Sequence, residues 1–316
     1  MKIKAKVLSP VHIRGEKYLK NFNFVQDKDV YIFDEFECFE FLSRGDIEKV
    51  KNNAKRVVKS NVEIEKNEIY TFMDYFDLEE NRYKVYIPAS SIKGAIRTAY
   101  EDFLRKNINN RKNRKNINDK FQKVILKDVK KDFETKIYKS INIKICKKAQ
   151  MNRNDKVQEL MQYVECLVPN QEFEFEIKFR DKNLERFFVK NMNNFYLDKY
   201  LDDTKKAKTC KLQNIECDNC IEKEDYLECD LYFYDESLPK FDKNQLIREN
   251  KFLLNLGHFG GAIKKSLDSK RKISSKCRDN KKYTTTKTYA LEKDEHPPYF
   301  EKELLPFGWV LCEILE

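Results

Sequence analysis

A chain of 316 residues suffices for one large or two ordinary domains, and 41% apolar content marks it as folded beneath an ion-crowded surface with 37% charged residues. No apolar run is long enough to span a membrane, and the start MKIKAKVLSP alternates lysine with apolar residues unlike a secretory leader. Nine cysteines without such a leader point to a reducing cytoplasm, not to a disulfide framework.

Lys2 to Val7 alternates lysines with Ile3, Ala5 and Val7, predicting a half-buried strand that Pro10 ends and Gly15 turns. Val30 to Phe33 reads as a second strand. Asp34 and Glu37 form a capping box for a short helix through Leu42, stopped by Gly45. From Asp46 a further helix is expected to carry Ile47, Val50, Ala54, Val57 and Val58 on one face. Val62 to Phe76 returns strand and loop.

The segment Tyr86 to Leu104, YIPASSIKGAIRTAYEDFL, holds the strongest functional pattern. A strand end at Val85–Ile87 and a tight loop at Pro88–Ser90 lead into a helix with Ile92, Ala95, Ile96, Ala99 and Phe103 at helical spacing. Ser90 or Ser91 can serve as the N-cap. Gly94 in the first turn costs the helix about 1 kcal/mol against alanine, which makes sense where another backbone approaches closely. Lys93 and Arg97, four apart, share a face. Amide donors at a helix start, a missing Cβ and two cations make a phosphate seat, although an ordinary capped helix with solvated cations gives the same pattern.

Net charge is +10 but uneven. Arg105 to Lys131 holds 11 Lys/Arg against 2 Asp/Glu, and Ala262 to Lys287 holds 10 against 2, while the remainder is acidic. Such segregation suggests two basic surfaces facing a polyanion, with solvated loops as the plainer alternative. Beyond Leu104 an exposed basic loop is expected, then weak helical patterning from Phe121 to Ile137. Ile141, Ile143 and Ile145 alternate like a strand. Phe173, Phe175, Ile177 and Phe179 do so more clearly, and Asn183 to Tyr200 reads as a helix.

Cys210, Cys217, Cys220 and Cys229 include one C-x-x-C pair, and four thiolates could close a tetrahedral zinc site. The outer spacings are irregular and a close pair arises readily among nine cysteines, so the reading is no metal and no cofactor. Phe241 to Leu256 is predicted helical, with Asp242 and Gln245 as a capping box and Gly257 as terminator. GHFGGAIKKS follows. Its glycines let amides converge on phosphate oxygens, and Lys264 and Lys265 add charge; a glycine C-cap followed by a bulge is the alternative. Leu305 to Leu315 closes the chain as a strand, with Trp309 in the core.

Several of these segments resemble the RAMP superfamily, RNA-binding subunits of CRISPR effector complexes. The central helix matches the I-P-G-S-S-[IL]-K-G-[AS]-[ILF]-R motif, with Ala89 in place of the glycine after the proline. Ser9, Pro10, Val11, His12 and Ile13 match the family's first loop, with Arg14 where glycine is usual. Gly260 and Gly261 lie where the family carries its glycine-rich loop. Pro306, Phe307, Gly308, Trp309 and Val310 match its closing strand.

The motif order is most similar to the subunit family that terminates type III-A (Csm) complexes. The resemblance implies an α+β fold on a ferredoxin-like, RRM-type core, divided as N-terminal core 1–104, basic insertion 105–140, core strands and helix 141–200, cysteine-containing insertion 201–239 and C-terminal part 240–316. It further implies a non-catalytic cytoplasmic protein that binds the 3′ region of crRNA, caps the backbone filament and aids crRNA maturation. Its partners would be the neighbouring backbone RAMP, the small helical subunit and host trimming nucleases, with no membrane. Expected RNA contacts are His12, Arg14, Ser90, Ser91, Lys93, Gly94, Arg97, Gly260, Gly261, Lys264 and Lys265, then Lys270, Arg271 and Lys272. Two alternatives within the superfamily are a repeat-processing endoribonuclease with His12 as general acid and base, and a backbone subunit that cleaves target RNA.

Overall fold

The computed structural model describes residues 1–107, 124–145, 162–180, 182, 185, 188–207, 220–223, 226–229, 232–234, 238–258, 273–275, 282–291 and 305–316. Its first sheet forms around β1 (Lys2–Val7), whose Ile3, Ala5 and Val7 are fully buried while Lys2 and Lys6 face water. β13 (Glu172–Lys178) repeats the pattern with Phe173, Phe175 and Ile177 inward. β1 lies between β13 and the closing strand Trp309–Ile314, antiparallel to both. The strand Lys251–Asn255 and β9 (Ile125–Leu126) complete five strands. On the outer face, Lys2 pairs with Glu174 at 2.7 Å and Lys4 with Glu172 at 2.8 Å.

Two helices cover the inner face. Ile92, Ile96 and Ala99 of α3 (Ala89–Asn107) meet Met192, Phe195 and Tyr196 of α4 (Phe188–Thr204) over Phe252 and Trp309. Trp309 is fully buried, as expected; its Nε1 donates to Asp203 Oδ2 at 2.8 Å, and Tyr196 and Tyr200 meet it edge-on. An antiparallel sheet with helices on one face is the α+β layering expected from the sequence. No helix among the described residues is long and apolar enough to cross a membrane.

The second sheet runs β2 (Arg14–Leu19), β6 (Glu68–Phe72), β12 (Gln162–Leu167), β11 (Thr135–Ile145), β5 (Arg56–Ser60), β4 (Val30–Ile32), β3 (Phe24–Gln26), with the strand Lys282–Leu291 added on β11. Phe24, Ile32, Val58, Ile69, Ile137 and Tyr163 share one core, with Tyr18 packed against it, so the sheet curls round its own side chains. α1 (Glu35–Ser43) and α2 (Ile47–Asn52) pack on it through Cys38 and Val50 against Val25 and Phe33. Asp34 caps α1 as expected, accepting from Phe36 N at 3.0 Å. A small sheet of β7 (Asp74–Asp77), β8 (Arg82–Ile87) and β10 (Val129–Lys130) delivers the chain to α3.

Three expectations are corrected. The helix from Asp46 stops at Asn52, and Val57 and Val58 alternate out and in on β5, so a period of two overrides the apparent helical face. α5 (Lys243–Arg248) is capped by Asp242 through Gln245 N, but Asn250 at φ +53° turns the chain into the strand Lys251–Asn255. Leu246, Leu253 and Leu254 stand at i, i+7 and i+8, the spacing of one helix face, although the last two lie on the strand. Within Phe121–Ile137, the described residues form β9, β10 and the start of β11 instead of a helix.

One buried polar node ties these pieces together. The Glu165 carboxylate, on β12, is fully buried and pairs with both terminal nitrogens of Arg56 on β5, Nη2 at 2.8 Å from Oε2. It also accepts from Phe72 N at 2.9 Å and Thr135 Oγ1 at 2.6 Å. Asp74 lies 3.4 Å from Arg56 Nη2, and burial pushes its carboxyl above the usual range against the pull of Arg56. Breaking such a pair strands a buried charge, at about 3–5 kcal/mol. Glu165→Gln should therefore lower the thermal midpoint sharply. In a denaturation cycle, Arg56→Met combined with Glu165→Leu should lie closer to wild type than either single change; simple additivity would contradict the pairing.

Candidate functional site

Pro88 ends the β8 ladder and α3 starts at Ala89, so Ser90 and Ser91 sit inside the first turn and neither is the N-cap. Ser91 N donates to the Pro88 carbonyl at 3.0 Å. The Ala89 N–H donates to Asp128 Oδ1 at 2.7 Å. An aspartate from the β9–β10 connection therefore occupies the first amide of α3, which leaves that donor unavailable to an anion at the helix start.

The two cations of the motif separate. Lys93 Nζ is half-buried and donates to the Val124 carbonyl at 2.9 Å, which makes it a tie between α3 and the chain entering β9. Arg97 stays 43% exposed and pairs with Glu101 at 2.9 Å one turn along. Gly94 is exposed, and a Cβ built there meets nothing within 4 Å. Among the described residues no backbone makes the close approach that glycine suggested. Ser90, Ser91 and Thr98 stand near it on the same helix.

The SPVHI loop forms the floor. His12 is 1% exposed, donates from Nδ1 to the Glu165 carbonyl at 2.6 Å and meets Phe72 edge-on. Expected as an RNA contact, His12 has a ring that lies beneath the surface, held by the main-chain carbonyl of Glu165. Its main chain does the positioning. The His12 carbonyl accepts from His258 N at 2.8 Å, and a Cβ on Gly257, at φ +91°, would lie 2.1 Å from that oxygen. Gly308 N donates to the Pro10 carbonyl at 2.8 Å, and Leu256 N donates to the Gly308 carbonyl at 2.7 Å. Three segments far apart in sequence thus lock into one floor, next to Arg14, whose guanidinium lies 5.2 Å from the centre of the Tyr70 ring.

Together these segments line a cleft of about 540 Å³. Arg14, Ser90, Ser91 and Gly94, four of the residues named from the motifs, are among those that line it. Thr98, Tyr86, Asn255 and His258 join them, residues that the sequence reading did not select. Thr98 was within reach of that reading, since it lies four residues after Gly94 and seven after Ser91, on one helix face. Asn255 was hidden by the mistaken helix. Lys93 and Arg97 are not among the lining residues. A second cleft of about 390 Å³ between β5 and β8 carries Lys55, Lys59, Arg82 and Lys84, but each is paired with a carboxylate, such as Lys59 with Glu134 at 2.7 Å and Lys84 with Asp77 at 3.1 Å.

Gly260, Gly261, Lys264, Lys265, Lys270, Arg271 and Lys272 lie outside the described residues, as do Cys210 and Cys217. The backbones at Cys220 and Cys229 face each other across a two-stranded ribbon.

The chain's fold is similar to two solved structures. One is a chain of the cryo-EM structure of a Csm–crRNA–target RNA ternary complex of a type III-A CRISPR-Cas system, with a TM-score of 0.57 and 14% identity over 99% of this chain and 100% of that one. The other is the crystal structure of Csm5 from T. onnurineus, with a TM-score of 0.54 and 15% identity over 97% and 99%. No curated protein sequence matches. The model of the RAMP superfamily matches residues 4–315, and the chain belongs to that superfamily.

Proposed function

We propose that this chain is an RNA-binding, non-catalytic subunit of a type III-A Csm complex, which holds the 3′ region of crRNA, caps the backbone filament and aids crRNA maturation. One observation carries the reading: three motifs remote in sequence, plus the start of the glycine-containing loop, line or underlie a single cleft. The similar fold of Csm5 and of a chain in a Csm–crRNA–target RNA complex supports the choice of complex.

In this reading a ribose-phosphate chain runs along α3. Gly94 lets it approach the helix backbone, Ser90 and Ser91 offer hydroxyl donors, and Arg14 offers a guanidinium held over Tyr70. Arg97 follows Gly94 by three residues on the same helix and would turn its guanidinium from Glu101 to a phosphate. In the sequence, Gly260 and Gly261 follow His258 closely, and the cations Lys264, Lys265, Lys270, Arg271 and Lys272 come after them, charge that would add to the attraction for RNA. Contacts of this kind go to phosphate and sugar, so the grip tolerates any guide sequence. Catalysis by His12 is disfavoured, since a ring 1% exposed beneath the cleft does not reach a ribose hydroxyl.

Binding of single-stranded crRNA, titrated over a range of salt, tests the site. Arg14→Ala with Arg97→Ala should weaken binding roughly tenfold and lower the salt slope by about 1 per cation removed. An unchanged affinity and slope would remove the cleft from consideration. Lys93→Ala should act mainly on the melting temperature, because its ammonium is tied to Val124.

Gly94→Ala separates binding from folding. The new methyl group meets no described atom within 4 Å, and alanine favours the helix by about 0.5–1 kcal/mol, so the variant should melt at a higher temperature. It should nonetheless bind RNA several-fold less tightly. A variant that is more stable and binds equally well would mean that RNA does not run along this face.

A further inference from the structure

The cleft is lined by more than donors for phosphate. Besides Arg14 and the serines of α3, Met73, Tyr86 and Pro88 line it with apolar surface, for which a sugar-phosphate chain has no counterpart. Tyr86 owes its place to the alternation of β8: Val85 and Ile87 are buried in the core, so residue 86 points to the other face of the small sheet, where it is half-buried. Its ring meets Tyr75 of β7 edge-on, with the ring centres 5.7 Å apart. Lys130 stands opposite Tyr86 on β10, and its ammonium lies 4.3 Å from the centre of the Tyr75 ring.

The carboxylates around this face are committed elsewhere. Asp128 accepts from the Ala89 N–H, Asp74 lies against Arg56, and Asp77 and Asp132 pair with Lys84 at 3.1 and 3.2 Å. Lys130 is exposed and forms no ion pair among the described residues. Two aromatic rings and an uncommitted cation, beside a cleft of about 540 Å³ that holds a guanidinium, fit one chemical class. A nucleotide has a planar base with apolar faces and an anionic phosphate. An acyl chain would leave the guanidinium and the hydroxyls without partners, and a sugar-phosphate chain alone would leave the tyrosine wet.

We infer that Tyr86 is a stacking platform for one nucleobase of the RNA in the cleft, with Tyr75 bracing its ring and Lys130 meeting the adjacent phosphate. The inference rests on the proposed RNA cleft and adds a base contact where that reading has phosphate and sugar contacts alone. Stacking needs a π-face and no particular base, so the guide sequence stays unread.

The test titrates the full chain with single-stranded crRNA, either intact or carrying one abasic nucleotide moved step by step along its 3′ region. Tyr86→Ser should weaken binding of intact crRNA roughly tenfold, and Tyr86→Phe, which keeps the ring, should recover most of the loss. One abasic position should weaken binding to wild type by a similar factor and leave Tyr86→Ser unaffected, because ring and base act as a pair. Lys130→Ala should weaken binding several-fold and lower the salt slope by about 1. An abasic scan that is flat for wild type, or equally uneven for wild type and Tyr86→Ser, overturns the platform. The cleft survives that result so long as Arg14→Ala with Arg97→Ala still weakens binding. If that pair also changes nothing, cleft and platform fall together.

Discussion

The architecture turns on one carboxylate without water. Glu165 sits where β5, β6, β11 and β12 come together, and its four hydrogen bonds reach the Arg56 guanidinium, the Phe72 amide and the Thr135 hydroxyl. Its main-chain carbonyl then holds the His12 ring. Burying an ion pair brings little net stability, because desolvation offsets most of the attraction. What such a pair supplies is a link between strands: Glu165 on β12 reaches β5, β6 and β11 at once. The His12 ring, fixed by this arrangement, in turn fixes the loop whose carbonyl carries Gly257 and His258. Electrostatics in the second sheet thereby set the floor of a cleft on the first.

The cleft shows why the family's motifs are short and scattered. Each supplies a constraint instead of a reactive group. Pro88 ends a ladder, Gly257 permits a contact that any Cβ would block at 2.1 Å, and Gly308 lets the closing strand start beside Pro10. Gly94 differs from these, since nothing among the described residues crowds it. A glycine forced by its own fold and a glycine kept for a visitor look alike in a sequence, and only the space around the missing Cβ separates them.

Much of the first sheet was legible from the amino-acid order, because β1 and β13 alternate strictly and α3 has a clean apolar stripe. The misreadings share a cause. Val57–Val58 and Phe252–Leu254 are short apolar stretches of strands, and over so few residues a strand and a helix face are indistinguishable. Within the cleft, Arg14, Ser90, Ser91 and Gly94 could be named because they stand in motifs. The burial of His12 could not, since it depends on Glu165, 153 residues away. Asp128 escaped notice for a similar reason: it caps a helix from 39 residues downstream, beyond any local capping rule.

The pairing of β1 has a consequence for how the chain reaches this state. Its neighbours are residues 172–176 on one side and 310–314 on the other. A ribosome delivers them in that order, so the first strand emerges long before either flank exists. Topologies dominated by such remote pairings form slowly, and unsatisfied strand edges attract wrong partners in the interval. The lysines at positions 2, 4 and 6 then serve a second purpose: a waiting strand that carries three like charges is poor material for aggregation.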